Sequence, residues 1–256
     1  MKKTLVSALI TFSVWLFFIA TLVPLFLIYL LVWIFTAPFD HKRSICHQYV
    51  SAWAGLYVHI NPWWKVTIEN RFRLVPGQVY IILSNHQSVL DVLAFYQLRF
   101  PFRWIAKQEI FRLPVLGWVL FLNGDIPVIR GDKESAERMV ERAVKTLREG
   151  NSILIFPEGT RSADGTVGDF KEGAFRIALE SKAAMLPVVI DGAYDALPKH
   201  EFLFRGKKHI VVRILDVIKP EDYDSYPLPM LLKKTEKFMA EEHLRLRNEN
   251  ILLHHE

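Results

Sequence analysis

A single α/β domain with a largely parallel or mixed central sheet flanked by helices, preceded by a hydrophobic membrane helix or helical hairpin, is the architecture that these 256 residues predict. Three observations carry it. Apolar runs such as Val79-Tyr80-Ile81-Ile82-Leu83 and Ser152-Ile153-Leu154-Ile155-Phe156 have the length and continuity of strands buried on both faces. Between them lie helical patterns, the clearest from Ser135 to Arg148, where Ala136, Met139, Val140, Ala143, Val144 and Leu147 form one apolar face before Gly150 stops it. Strands alternating with such helices imply a parallel sheet. Finally, Thr4 to Phe39 carries no charge at all, in a chain that is 51% hydrophobic.

That uncharged segment, straight and helical, would reach roughly 54 Å at about 1.5 Å per residue, beyond a hydrocarbon core of roughly 30 Å. Pro24 lies near its centre, Lys2 and Lys3 precede it, and His41, Lys42 and Arg43 follow. Basic residues at both ends favour two ends on the cytoplasmic side, so a re-entrant hairpin with arms near 4–23 and 25–39 is expected, a single tilted span being its rival. The apolar region is too long for a cleaved signal peptide. His41 to Ile60 reads as an amphipathic helix, and Trp53, Tyr57, Trp63 and Trp64 suit either an aromatic belt at lipid headgroups or ordinary core. Residues 1–60 are thus expected as the membrane-embedded part and 61–256 as the α/β domain.

Along the second part, Lys65–Glu69 alternates like a strand, Val75-Pro76-Gly77-Gln78 is a turn, and Val89 to Phe95 has helical spacing. Phe102–Lys107 and Ile126–Arg130 read as strands, with an apolar stretch from Leu113 to Leu122 between them. Phe170 to Lys182 reads as a helix, Met185–Ile190 and His209–Leu215 as strands, and Leu231 to Arg247 as a closing amphipathic helix.

Composition narrows the function. With 32 basic and 27 acidic side chains the net charge is +5, a modest excess suited to an anionic membrane surface or anionic substrates. No basic stripe interleaved with aromatics and no zinc or helix-turn-helix signature points to nucleic acid. Cys46 is the only cysteine, which excludes disulfides within the chain and cysteine-based metal sites.

Two stretches carry chemistry. In Ser84-Asn85-His86-Gln87-Ser88-Val89-Leu90-Asp91 an imidazole and a carboxylate stand five residues apart at a strand-to-helix turn. On a regular helix they would not share a face, so they meet only if His86 precedes the first turn and folds back over the helix start. A histidine merely packed there, with Asn85 or Ser88 as cap, is the plainer reading. In Phe156-Pro157-Glu158-Gly159-Thr160-Arg161-Ser162, a glycine, two hydroxyls and a guanidinium fork lie beyond a strand end, a pattern that fits a phosphate, although a solvated turn with a Glu158–Arg161 pair fits it too. It lacks the ending of a P-loop.

Together, Asn85 to Asp91 followed by Phe156 to Ser162 resembles the glycerolipid acyltransferase family, in its 1-acyl-sn-glycerol-3-phosphate acyltransferase branch. Gly124 to Arg130, Phe170 to Phe175 and Leu186 to Ile190 resemble further family blocks in the family's order, so the likeness covers about residues 60 to 220. It implies acyl transfer from a thioester, acyl-CoA or acyl-ACP, to the sn-2 hydroxyl of lysophosphatidic acid, giving phosphatidic acid. His86 would be the general base and Asp91 its orienting carboxylate, with no covalent acyl-enzyme. Gly159, Thr160 and Arg161 would hold the phosphate, with Glu158 orienting Arg161 or binding a glycerol hydroxyl, and Lys107 and Arg130 as further cations. Side chains between Val115 and Leu122 would line an acyl tunnel or form plain core. No metal or cofactor is expected beyond the acyl thioester co-substrate. The partners would be the bilayer, the two lipid substrates and an acyl carrier protein, with the catalytic domain on the cytoplasmic face of a bacterial inner membrane. Other lysolipid acceptors, a non-catalytic lipid-binding protein, and a serine hydrolase using Ser84 or Ser88 are the alternatives; the last lacks the Gly-x-Ser-x-Gly elbow.

Overall fold

A computed structural model describes residues 2–252, with no account of the Lys2, Lys3 and Thr4 side chains, so the charges of the basic pair expected at a membrane boundary lie outside what is described. In chain order the elements are α1 (Lys2–Thr36), α2 (Ser44–Ile60), β1 (Trp64–Glu69), β2 (Tyr80–Ser84), α3 (Leu90–Tyr96), β3 (Phe102–Lys107), α4 (Leu116–Asn123) and β4 (Ile126–Val128). There follow α5 (Lys133–Arg148), β5 (Ser152–Ile155), α6 (Gly173–Ser181), β6 (Ala184–Asp191), α7 (Ala193–Ala196), β7 (Lys208–Ile214), α8 (Pro220–Tyr223) and α9 (Leu228–Leu252).

The strands form one seven-stranded sheet in the order β1-β7-β6-β2-β5-β3-β4. All neighbours run parallel except β6 and β7. Each central strand serves two cores. Tyr80 and Ile82 face α2, α3 and α4, while Ile81 and Leu83 face α5, α6 and α9. Burial on both sides explains why these strands are continuous apolar runs rather than alternating ones. Pro127 is tolerated because β4 is an edge strand and needs one ladder only.

The N-terminal segment departs from the expected hairpin. Its backbone stays helical through Pro24, and no turn separates two arms. A turn there would strip several N–H and C=O groups of partners among apolar side chains, whereas proline removes one donor. Most of the helix lies along the domain. Ser7 donates to the Phe204 carbonyl at one end, Thr21 meets the Tyr57 hydroxyl midway, and the Tyr29 hydroxyl donates to Asn123 Oδ1 at 2.8 Å further on. Its other face exposes Leu5, Leu9, Phe12, Leu16, Ile19, Val23, Leu27, Leu31 and Ile34, an apolar stripe left uncovered by the described residues. Residues 5–36 are long and apolar enough to cross a membrane by length and composition. In α2, Trp53 and Tyr57 are buried, so for them the core reading holds and the headgroup belt does not.

Candidate active site

Because β2 and β5 pair in parallel, Leu83 beside Ile155, the loops that follow them emerge side by side. Two motifs about 70 residues apart in sequence are thereby brought together at the carboxyl edge of the sheet, where α/β folds bind ligands. The loops are also tied to each other: Ser162 N donates to the His86 carbonyl at 2.7 Å, and His86 N donates to Glu158 Oε1 at 2.8 Å.

Every neighbour of His86 in its loop is anchored elsewhere. The Asn85 amide exchanges two hydrogen bonds with the Ile190 backbone, both 2.9 Å, extending the β2–β6 ladder by a side chain. Gln87 Nε2 donates to the Gly165 carbonyl and to His243 Nε2 on α9, and its Oε1 accepts from Tyr194 N. The Ser88 hydroxyl donates to the Leu197 carbonyl and the Ser84 hydroxyl to Asn85 O, so neither serine is directed at His86 as a nucleophile would be.

His86 itself precedes α3, and Asp91 stands in the first turn of that helix. The chain folds back so that His86 Nδ1 lies 2.7 Å from Asp91 Oδ2. The same oxygen accepts from Gln87 N at 2.7 Å and Ser88 N at 2.9 Å. A carboxylate only accepts, so Nδ1 carries the proton and Nε2 is the free nitrogen. The imidazole stacks on Phe156, centroids 3.9 Å apart and planes 8° from parallel, which fixes its second rotation.

His86 lines a cleft of about 800 Å³ whose walls are mainly apolar. Leu116, Val119 and Leu120 of α4 line it, together with Val14, Trp15 and Phe18 of α1. Lys107, beyond the described contact with Glu109 at 3.0 Å, and the exposed Arg130 stand on its rim with Lys133 and Lys171. Gly159 lines it as well, at φ +69°, and a Cβ there would come 3.1 Å from Lys171 Nζ. Thr160 and Arg161 stand outside the cleft, and Lys199 joins them, its Nζ donating to Thr160 Oγ1 at 3.2 Å and to the Arg161 carbonyl at 3.3 Å.

Glu158, expected in the phosphate-binding loop as a partner that orients Arg161 or binds a glycerol hydroxyl, makes no hydrogen bond or ion pair with Arg161 among the described residues. It is buried, and its oxygens accept from His86 N and Gly168 N, so it braces the two loops. Burial, with smaller contributions from Asp91 and Asp164, pushes its carboxyl up to about 7. Since the folded chain holds this proton more tightly than the unfolded one, its contribution to stability is fullest below the ordinary 4.5 and is lost as pH rises through about 7. Roughly 3 kcal/mol is at stake. Thermal midpoints between pH 5 and 8 should therefore fall less in Glu158→Gln than in the wild type, and equal slopes would refute the assignment.

The family model described as Acyltransferase matches residues 65–191, from β1 to the end of β6. A 1-acyl-sn-glycerol-3-phosphate acyltransferase of Borreliella burgdorferi is 31% identical over 173 residues, 66% of this chain and 69% of that protein. The chain belongs to the acyltransferase family. Two further relatives of the same designation are 33% identical over 79% of this chain in Chlamydomonas reinhardtii and, in Arabidopsis thaliana chloroplasts, 34% identical over 64%. The chain spans 61% and 46% of their lengths. The crystal structure of the 1-acyl-sn-glycerophosphate (LPA) acyltransferase from Thermotoga maritima has a TM-score of 0.76 at 23% identity, covering 96% of this chain and 98% of that one, which shows a common fold. In this member of the acyltransferase family, Phe156, Lys171, Lys199 and the Gln87–His243 contact are site features that sequence reasoning missed. Only Phe156 left a signal, as the last apolar residue of the strand run that leads into the second motif.

Proposed function

We propose that this membrane-associated acyltransferase esterifies the sn-2 hydroxyl of lysophosphatidic acid with an acyl group from acyl-CoA or an acyl carrier protein, giving phosphatidic acid. One observation carries the reading: His86, oriented by Asp91 at 2.7 Å, borders both an apolar cleft and the Thr160–Arg161 loop. The acyl chain occupies the cleft, the thioester carbonyl stands at His86, and the acceptor's phosphate meets Arg161 with Lys199 beside it. Lys107 and Arg130, on the cleft rim, offer cations to the phosphates of the donor or acceptor.

An alcohol is a weak nucleophile while protonated, so His86 Nε2 takes the hydroxyl proton as the oxygen attacks the carbonyl carbon. The carbon–oxygen bond forms, the carbon–sulfur bond breaks, and the imidazolium returns the proton to the departing thiolate. Asp91 holds the Nδ1–H tautomer and stabilises the transient imidazolium. Phosphate contacts place the hydroxyl at His86, so binding energy becomes orientation. The apolar stripe of α1 lies along the bilayer, where both lipid substrates reside, with the basic domain on the cytoplasmic face.

The deciding assay presents lysophosphatidic acid and lysolipids with larger headgroups, each with acyl-CoA or acyl carrier protein as donor. Preference for an acceptor lacking the phosphomonoester would overturn the substrate assignment. Arg161→Ala should raise the KM for the acceptor about tenfold or more, the value of a charge-assisted hydrogen bond, and leave the donor KM nearly unchanged. Equal changes in both would argue against a phosphate contact.

A further inference from the structure

A second cleft, of about 610 Å³, opens behind the first between the end of α2, β1 and the end of α3. Trp64 lines both. Its polar lining is one-sided: His59, Asn61, Lys65, Arg71, Gln97 and Arg99 contribute, and no aspartate or glutamate does. Asn61 is 2% exposed, and its Oδ1 accepts from Trp63 N at 2.9 Å, which fixes the amide orientation. Its Nδ2 then has no acceptor among the described residues, and neither has the buried Trp64 Nε1. Arg71 is held in place by donating to the Leu98 and Gln97 carbonyls at 3.0 and 2.5 Å. Burial and, to a smaller extent, the nearby Arg99 guanidinium pull it below its ordinary value. The Lys65 and Arg99 side chains have no acidic partner among the described residues.

Three cations, Lys65, Arg71 and Arg99, thus gather on one lining without a carboxylate, and an anion in the cleft would neutralise them. A phosphate suits this lining, because a guanidinium fork and an ammonium can share its oxygens. The chain next to the lining selects the kind of phosphate. Ile60 and Phe72, which adjoin the lining residues Asn61 and Arg71 in sequence, and Leu56 one turn earlier on α2 are exposed large apolar side chains, and α2 packs along α1, whose own free face is apolar. A dissolved ion has no use for such neighbours, whereas a lipid headgroup brings acyl chains to cover them. We infer that this cleft binds the phosphate of an anionic membrane lipid, at a site separate from the one that holds His86.

The test uses the full chain and flotation with vesicles of phosphatidylcholine alone or enriched in phosphatidylglycerol. The pair Lys65→Gln/Arg99→Asn removes two cleft cations; asparagine tolerates the left-handed backbone at position 99, where φ is +51°. The pair Arg142→Gln/Lys145→Gln removes the same charge from the exposed face of α5. The cleft pair should weaken binding to anionic vesicles about tenfold, leave binding to neutral vesicles unchanged, and the α5 pair should change either by less than about twofold. Equal losses in both pairs would reduce the effect to net charge, and no loss in the cleft pair would remove the site; either overturns the inference. At constant ionic strength, millimolar inorganic phosphate should leave binding of the wild type to anionic vesicles within about twofold. Displacement by it as large as the cleft mutation causes would show a site for the free ion and overturn the lipid assignment.

Discussion

His86→Ala is expected to reduce kcat by about 10³ to 10⁴ while thermal stability and the KM for both substrates stay close to wild type. The size follows from the chemistry. Without a base the hydroxyl must attack in its protonated form, and no other described side chain replaces the imidazole, since the Ser84 and Ser88 hydroxyls are committed to backbone carbonyls. The stability expectation follows from the packing. The loop is held by Asn85, Gln87 and Ser88, and by the His86 backbone, whose N–H and C=O survive the substitution. Losing the ring costs its stack on Phe156 and one hydrogen bond to Asp91. Steady-state kinetics beside a melting curve separates the two outcomes, and near-normal acyl transfer in a folded variant would defeat the mechanism.

Asp91→Asn probes the same step differently. The side-chain oxygen can still accept from Gln87 N, Ser88 N and the imidazole, because all three converge on Oδ2 while Oδ1 has no partner. Geometry is kept and charge is lost. The imidazolium that forms during transfer then stands beside a neutral amide, and kcat should fall on the order of 10³ with little change in either KM. A loss below about tenfold would mean that the carboxylate only shapes the loop. A loss accompanied by a melting point far below that of His86→Ala would mean the same, for then the loop and not the charge has failed.

How much of this could be seen in the sequence depends on the range of each interaction. The strand at Val79–Leu83 was visible because burial on both faces leaves an unbroken apolar run. The face of α5 was visible because helical spacing is local. The five-residue gap between His86 and Asp91 set a conformational condition, that the histidine precede the helix, and the structure meets it. What brings the loop that carries Arg161 against the His86 loop is the pairing of β2 with β5, a contact across about 70 residues that no local pattern encodes. Lys199 and His243 reach the site by the same kind of long-range closure. Glu158 shows the opposite limit: in a polar loop a carboxylate resembles a ligand, and only the fold reveals that it is buried against two backbone donors. Pro24 resembled the tip of a hairpin because proline breaks isolated helices, while here neighbouring side chains hold the helix on the domain.

The long first helix has a practical consequence. Val14, Trp15 and Phe18 are wall residues of the cleft that His86 lines, and Phe26 and Tyr29 belong to the same core as the sheet. The apolar outer stripe and the wall of the cleft belong to one element. Cutting away residues 2–36 to obtain a water-soluble domain would unroof the cleft, expose the aromatic side chains beneath it and exchange one greasy surface for another. Solubility in this architecture has to be sought by recolouring the outer stripe of the helix, at Leu5, Leu9, Phe12, Leu16 and Ile19, with its inner face left as it is.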